Sequence, residues 1–268
     1  MRQTLTLEFR ILFIAILGVI VPFGLLLYLL PGGTDFYWAW AIPEPRSAIL
    51  IGAGYSGGIF YYLFALRDND WQEVENSLGG LILFTLVLLV ATMVHWDTFK
   101  PYHPITLVWL AFYYGGPLLV PILYRVQIDR LGAAGDEGAK ISPAWRAWLR
   151  GRGVVYAGLA LAGLVFAAAA SAAWPWPIQP LELRVFMGQV AAVGWSGLIA
   201  FAGGQAWRRF RLGLLFTAAI GLIQLLGLLI GPAPYQWSSP LGVILPLMFA
   251  EWIVTPLLMF AAYRKPSR

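Results

Sequence analysis

The chain has 268 residues, of which 60% are hydrophobic and only 12% charged, and its mean hydropathy is +0.73. A soluble domain carries about 25% charged residues, so the composition excludes an ordinary soluble protein. Apolar runs long enough to cross about 30 Å of hydrocarbon as helices recur along the chain. The sequence therefore predicts an all-α integral membrane protein.

Eight transmembrane helices are predicted in chain order, at about residues 9–30, 47–66, 78–96, 105–124, 153–173, 183–203, 212–230 and 241–263. Polar, glycine-containing residues 126–142 are predicted to form a cytoplasmic linker. The linker leaves residues 1–125 and 143–268 as two units of four spans each. Ser142 is a candidate N-cap and Pro143 a candidate first helical residue, which predicts a short interfacial helix over 143–152.

The two units resemble each other in sequence. "WAWAIPEP" (38–45) matches "WPWPIQPL" (174–181), "GYSG" (54–57) matches "GWSG" (194–197), and "PLLVPILYR" (117–125) matches "PLLMFAAYR" (256–264). With four spans in each unit, both units enter the membrane in the same direction. We therefore expect two parallel four-helix repeats about a pseudo-twofold axis along the membrane normal. In this alignment Glu251 corresponds to Phe112.

Lysine and arginine are distributed unevenly between the two sides of the predicted membrane. Arg46, Lys100 and Arg184 fall on one side, and the other fifteen of the 18 fall on the side that holds both termini. This bias predicts that the N-terminus and the C-terminus are both cytoplasmic. Membrane lipid is the predicted partner, with a membrane-protein partner or a homo-oligomer as further alternatives. The scattering of the basic residues along the membrane edges argues against nucleic acid.

Glu251 lies near the middle of the eighth predicted span, within "LPLMFAEWIVTPLL" (245–258). A charged residue at this depth costs roughly 2.5–3.5 kcal/mol on insertion scales, so it usually faces a bundle interior or a cavity. Thr255 lies one turn further along the same face and is placed to hydrogen-bond Glu251. Two interpretations stay open: an ion, proton or substrate site, or a protonated carboxyl group that joins neighbouring helices.

The predicted spans also contain other polar residues, among them Gln224, Gln189 and Thr92. They are expected to line one cavity together with Glu251. The alternative is that they form hydrogen bonds between helices and line no cavity.

His95, Asp97 and His103 are weaker candidates, for a metal site on the outer loop. Their spacing matches no known metal motif and no fourth ligand is evident, so a solvated loop is the alternative. The sequence requires no cofactor and leaves the identity of any cofactor unknown.

Tryptophans are concentrated at the outer ends of the predicted spans. Four of them precede spans two and six, and two more lie in other outer loops: Trp38, Trp40, Trp174, Trp176, Trp96 and Trp237. We expect them to form an aromatic belt at the membrane interface. The alternative is an aromatic-lined vestibule for an apolar, cationic or lipid ligand.

The stretches "WAWAIPEP" and "GAGY" (52–55), followed by "HWDTF" (95–99), resemble a group of uncharacterised bacterial polytopic membrane proteins. The resemblance covers about residues 36–125. It implies a bacterial cytoplasmic (inner) membrane location. It brings no known activity, so no functional residue is transferred from it.

The leading functional hypothesis is a transport-like protein with a site at mid-membrane around Glu251. The second is a non-catalytic subunit or scaffold that packs lipid, pigment or a partner through its Trp-rich outer surface. The third is an intramembrane enzyme. The sequence leaves enzymatic activity uncertain, with the balance against it, because the chain has no cysteine and no Ser–His pair or Asp-rich metal motif near the spans.

Overall fold

The computed structural model describes residues 3–202, 204–232 and 234–263. Eight long helices follow one another: α1 (Leu7–Leu29), α2 (Pro45–Asp68), α3 (Leu78–Val94), α4 (Pro104–Leu131), α5 (Pro143–Val165), α6 (Pro180–Leu198), α7 (Arg208–Ile230) and α8 (Ile244–Tyr263). Short helices lie between them at Pro31–Gly33, Thr34–Tyr37, Trp71–Glu75, Trp96–Thr98, Ala167–Ala172 and Ile199–Phe201. The described residues contain no strand, which confirms the all-α prediction. Four basic residues expected at the chain ends lie outside the described residues: Arg2, Arg264, Lys265 and Arg268.

Seven helical segments within the described ranges are long and apolar enough to cross a membrane: Leu7–Leu29, Pro45–Asp68, Trp71–Val94, Pro104–Leu131, Pro180–Phe201, Arg208–Ile230 and Ile244–Tyr263. They are consistent with a helical, multi-pass membrane protein. Helix α5, in the region of the fifth predicted span, is not among them. Its first three turns carry Arg146, Arg150 and Arg152, and Phe166 separates its end from the short helix Ala167–Ala172.

The start of α5 has the predicted N-cap. The Ser142 hydroxyl accepts a hydrogen bond from the backbone N–H of Trp145 at 3.2 Å, and Pro143 is the first helical residue. The helix then continues without a break to Val165. Residues 143–152, predicted as a short interfacial helix, are therefore the first turns of this longer helix.

Helix α4 extends into the predicted linker and ends at Leu131, before Gly132, whose φ is +80°. Gln127 lies in the turns of α4 that extend beyond the predicted span, and it binds the non-helical segment ahead of α1. Its Oε1 accepts from the N–H of Thr6 and its Nε2 donates to the carbonyl of Thr4, both at 2.8 Å. These two bonds hold the end of α4 beside the start of α1.

The helices pack in a pattern that repeats. Helix α1 lies against α2 as α5 lies against α6, and α3 lies against α4 as α7 lies against α8. Helix α2 also packs on α7, α3 packs on α6, and α2 meets α6. These pairings are unchanged when each helix of α1–α4 is exchanged with the helix four places later, whereas the contact of α6 with α7 has no counterpart among the packed pairs.

Glycines allow the closest of these helix approaches. A Cβ atom added at Gly197 of α6 would lie 2.4 Å from the carbonyl oxygen of Leu149 in α5. One added at Gly52 of α2 would lie 2.9 Å from the Cβ of Leu27 in α1. Small residues at such positions let membrane helices approach at backbone distance.

Charged side chains join α7 to the segment between α2 and α3, on the side of the molecule where α1 begins and α8 ends. Two carboxylates of this cluster are buried, those of Asp70 and Glu73. The ion pairs are Arg208 with Asp70, Arg209 with Glu75 (3.0 Å), Arg211 with Asp68 (2.9 Å) and Arg211 with Glu73 (2.6 Å). The two halves of the chain are thus connected by opposite charges.

The aromatic-belt prediction is wrong for four of the six outer tryptophans, because they are buried: Trp38, Trp40, Trp174 and Trp176. The loop ahead of α2 folds inward. Trp40 packs edge-on against Trp109 of α4, with ring centroids 5.0 Å apart. Trp176 donates from its indole N–H to the Ser47 hydroxyl at 3.1 Å. Trp96 and Trp237 are exposed, as the prediction requires.

Candidate functional site

Glu251 lies about two turns after the start of α8, where two side chains of α5 bind its carboxylate. Arg152 donates from Nε to Oε1 at 2.9 Å, and the Tyr156 hydroxyl donates to Oε2 at 2.5 Å. Arg152 and Tyr156 are four residues apart, so they share one face of α5. The ion pair and the phenolic hydrogen bond therefore join α5 to α8.

Arg152 is the more deeply buried partner, with 2% of its side chain exposed against 25% for Glu251. Its Nη1 also donates to the Ser196 hydroxyl of α6 at 3.0 Å and to the carbonyl of Val193 at 3.3 Å. Its Nη2 has no hydrogen-bond partner among the described residues. A buried charge requires a compensating charge, and the Glu251 carboxylate lies where it can supply one for Arg152.

The sequence predicts Glu251 as a site residue but does not point to Arg152, because residues 143–152 have the pattern of an interfacial helix. Thr255, expected to bind the carboxylate, instead accepts a hydrogen bond from the indole N–H of Trp148 at 3.2 Å. The spacing of Arg152 and Tyr156 was a usable signal. Two polar side chains on one face of an unbroken helix predict a polar partner opposite them.

The other predicted site residues bind elsewhere. Gln224 donates from Nε2 to Gln189 Oε1 and to the carbonyl of Leu50, both at 2.8 Å. Thr92 accepts from the indole N–H of Trp109 at 2.8 Å. The five predicted residues are therefore divided among separate hydrogen-bond clusters.

The outer-loop metal candidates are also separated. Arg184 Nη1 lies 2.5 Å from His95 Nε2, and His103 Nε2 lies 3.1 Å from the carbonyl of Phe36. Asp97 is exposed. Burial and then the Arg184 charge lower the pKa of His95, which favours the neutral ring that can accept a hydrogen bond from Arg184. The described residues contain no group of three potential metal ligands.

A cavity of about 290 Å³ lies between helices of both halves of the chain, with walls that are almost entirely apolar. Side chains of α1, α2, α3, α4, α6 and α7 line it. It extends from Ser77 and Arg209, on the side where α1 begins, to Gln189 near the middle of α6. Phe112, the residue aligned with Glu251, forms part of its wall.

One residue connects this cavity with the ion pair. Ser196 of α6 lines the cavity, and its hydroxyl accepts the hydrogen bond from Arg152. Glu251 is not part of the cavity wall. The carboxylate thus lies outside the cavity, and Ser196 of α6 is in contact with both the ion pair and the cavity.

Comparison with known proteins assigns no family. No protein-family model matches the chain, and no curated protein or solved structure matches it. The resemblance of residues 36–125 to bacterial polytopic membrane proteins therefore stays an expectation from the sequence.

Proposed function

We propose that this protein is a transport-like, multi-pass membrane protein that takes a small lipid-soluble molecule into the cavity between its helices. The observation that carries the proposal is the cavity itself, with its apolar walls and its volume of about 290 Å³. Small-molecule pockets start at about 300 Å³ and are lined mainly by apolar and aromatic groups. A lipid-soluble molecule loses little on leaving the bilayer for such walls.

The proposed architecture has eight spans in two parallel four-helix units, 1–125 and 143–268, joined by the linker 126–142. The symmetric packing of α1–α4 and α5–α8 supports the repeat, with α5 as the remaining span. The Lys and Arg distribution supports cytoplasmic termini. We place the protein in a bacterial inner membrane, with lipid as its partner, on the resemblance of residues 36–125.

The ion pair is the proposed proton-linked element. A quarter of the Glu251 side chain is exposed at the surface of the bundle, and we propose that a proton reaches the carboxylate there. Protonation removes the charge that compensates Arg152. Ser196 then changes its contact with the guanidinium, and this change reaches the cavity wall. In this proposal Glu251 does not bind the transported molecule; its protonation state regulates the neighbouring cavity.

The experiment uses the absence of cysteine from the chain. Ala192 lines the cavity, and Ala191, its neighbour on α6, is buried away from it. We would measure the rate at which N-ethylmaleimide labels the Ala192→Cys variant in lipid nanodiscs at a series of pH values. The Ala191→Cys variant is the matched control, and the exposed Tyr102→Cys variant corrects for thiol ionisation.

The proposal predicts that corrected labelling of the Ala192→Cys variant changes with pH, and that adding Glu251→Gln makes it independent of pH. The Ala191→Cys variant should label slowly throughout. The same pH profile with and without Glu251→Gln would overturn the proton-linked role.

A non-catalytic subunit or scaffold is the second candidate. One observation favours it: the charge of Glu251 is already compensated by Arg152, as in an ion pair that only joins two helices. Burial of the four outer tryptophans reduces the aromatic surface on which that hypothesis first rested. Labelling of position 192 that is independent of pH in both backgrounds would favour the scaffold.

A further inference from the structure

Tyr62 of α2 carries an unpartnered hydroxyl group in the wall of the cavity. The residue lines the cavity and is only 6% exposed. Its hydroxyl forms no hydrogen bond with any described residue. The hydroxyl is therefore free to donate to a molecule in the cavity.

A second phenolic donor lies in the same wall. The hydroxyls of Tyr55 and Tyr113 are 2.8 Å apart, and both residues line the cavity. Two hydroxyls have two hydrogens, and the bond between them uses only one. Tyr55 and Tyr62 are two turns apart on one face of α2, with Gly58 of the cavity wall between them.

The remaining charged and polar groups of the wall already have partners. Arg209 is paired with Glu75 at 3.0 Å, and the Tyr61 hydroxyl is bonded to the Ser77 hydroxyl at 2.6 Å. An anionic ligand would therefore find no free cation among these groups. The hydrogen-bond donors that remain are the Tyr62 hydroxyl and one hydroxyl hydrogen of the Tyr55–Tyr113 pair. Such donors match an uncharged oxygen acceptor.

We propose that the cavity binds a neutral, lipid-soluble molecule whose carbonyl oxygen accepts hydrogen bonds from Tyr62 and from the Tyr55–Tyr113 pair. This inference rests on the proposed function, in that it identifies the chemical class of the cargo. A quinone ring and an acyl ester both present such a carbonyl on an apolar body. A volume of about 290 Å³ holds that head and the first carbons of a chain.

We infer that the rest of an alkyl chain would leave towards the bilayer between α1 and α4. These helices are tied together at one end, where Gln127 binds Thr4 and Thr6 and Arg130 pairs with Glu8 at 2.5 Å. They are not among the helix pairs that pack extensively. Leu119 of α4 lines the cavity and is also exposed on the outer surface of the bundle.

The test measures protection of the Ala192→Cys variant from N-ethylmaleimide in nanodiscs at one fixed pH. Three probes of equal chain length are compared: decylubiquinone, methyl decanoate and decane. Each is titrated against lipid, and the concentration for half-protection is recorded. The comparison is repeated with Tyr62→Phe and Tyr55→Phe, and with Tyr61→Phe as the matched control, because Tyr61 lines the cavity but already has a partner.

We expect both carbonyl probes to protect at lower concentration than decane, and the stronger one identifies the source as quinone or ester. Tyr62→Phe should raise their half-protection concentration about 2- to 10-fold, as loss of one neutral hydrogen bond does. Tyr61→Phe should not change the half-protection concentration of the carbonyl probes. None of the three substitutions should change that of decane.

Equal protection by decane and the carbonyl probes would overturn the proposal, as would an unchanged half-protection concentration in both Tyr62→Phe and Tyr55→Phe. The proton-linked role fails separately. Protection by the carbonyl probes together with labelling that is independent of pH would leave the ligand class standing and remove the transport proposal.

Discussion

Arg152 Nε lies 2.9 Å from Glu251 Oε1, although the two residues are 99 positions apart in the chain. The contact connects α5, a helix with several arginines, to the only carboxylate of α8. It explains how a charged residue is tolerated within an apolar helix, since its partner enters the same low-dielectric region. The cost of burying the Glu251 carboxylate therefore depends on the presence of Arg152.

Arg152→Leu should destabilise the protein by about 3–5 kcal/mol, because it leaves a carboxylate without its compensating charge. The double variant Arg152→Leu/Glu251→Leu should regain most of that loss. The free energy of unfolding, measured by denaturant titration in mixed micelles, checks both expectations.

An exposed ion pair supplies the control for this cycle. Arg125 and Asp129 of α4 are 3.2 Å apart, with 77% and 57% of their side chains exposed. The same leucine cycle there should give a coupling of about 0–1 kcal/mol. A double variant at Arg152 and Glu251 that is no more stable than Arg152→Leu would contradict the buried ion pair.

Local signals predicted the helix starts well, and the contacts between helices poorly. Ser142 and Pro143 lie within four residues of the N–H that the cap satisfies, so the start of α5 could be predicted. Arg152 could not be matched to Glu251, because each residue alone is compatible with a membrane surface or a bundle interior. Only the side-chain contacts between α5 and α8 decide between these environments.

The apolar pattern also fails to show which face of a helix meets lipid. Hydrocarbon and protein interior are both apolar, so the lipid-facing and buried faces have similar residues. Trp38 and Trp40 therefore suggested a membrane interface, although both lie in the core. The cavity beside Phe112 was hidden for the same reason, since its walls resemble any other apolar surface.

Close packing of α5 on α6 predicts that Gly197→Ala destabilises the protein by about 1–3 kcal/mol, the usual cost of overpacking. The added methyl group would meet the carbonyl oxygen of Leu149 at 2.4 Å and the backbone of Gly153 at 2.8 Å. Thermal unfolding in detergent measures the effect.

Gly158→Ala is the matched control, because Gly158 lies within α5 and has nothing within 4 Å of an added Cβ. It should be neutral, or stabilising by up to about 1 kcal/mol through helix propensity. Equal melting temperatures for the two alanine variants would argue against the close approach of α5 and α6.

The eight-span proposal predicts which introduced thiols can be labelled from each side of the membrane. An impermeant maleimide should label Tyr102→Cys and Ala172→Cys on intact cells, and Ala133→Cys only after lysis. Positions 133 and 172 flank α5, so their accessibility from opposite sides tests whether α5 crosses the membrane. The unmodified chain has no cysteine and gives the background. Labelling of positions 133 and 172 from the same side would show that α5 does not cross the membrane and would contradict the eight-span proposal.

Asp136 predicts an acid-sensitive contact between the linker and the segment ahead of α7. Its Oδ1 accepts from the N–H groups of Gln205 and Ala206 at 2.8 and 2.7 Å. Partial burial acts to raise the pKa of Asp136, but Lys140 and these two amides outweigh it and lower the pKa to about 2. Because the folded pKa lies below the ordinary one, the carboxylate stabilises the contact fully above about pH 4 and loses this effect as the pH falls towards about 2.

Hydrogen exchange of the Gln205 and Ala206 amides, corrected for intrinsic rates, should therefore accelerate between about pH 4 and pH 2. Asp136→Ala should expose the same amides already at neutral pH, since it removes the acceptor. Asp129→Asn, at an exposed carboxylate of α4, should leave them protected. Protection that persists in Asp136→Ala would show that the linker is held by its backbone bonds alone, such as that from Ile141 N–H to the Gln205 carbonyl at 2.9 Å.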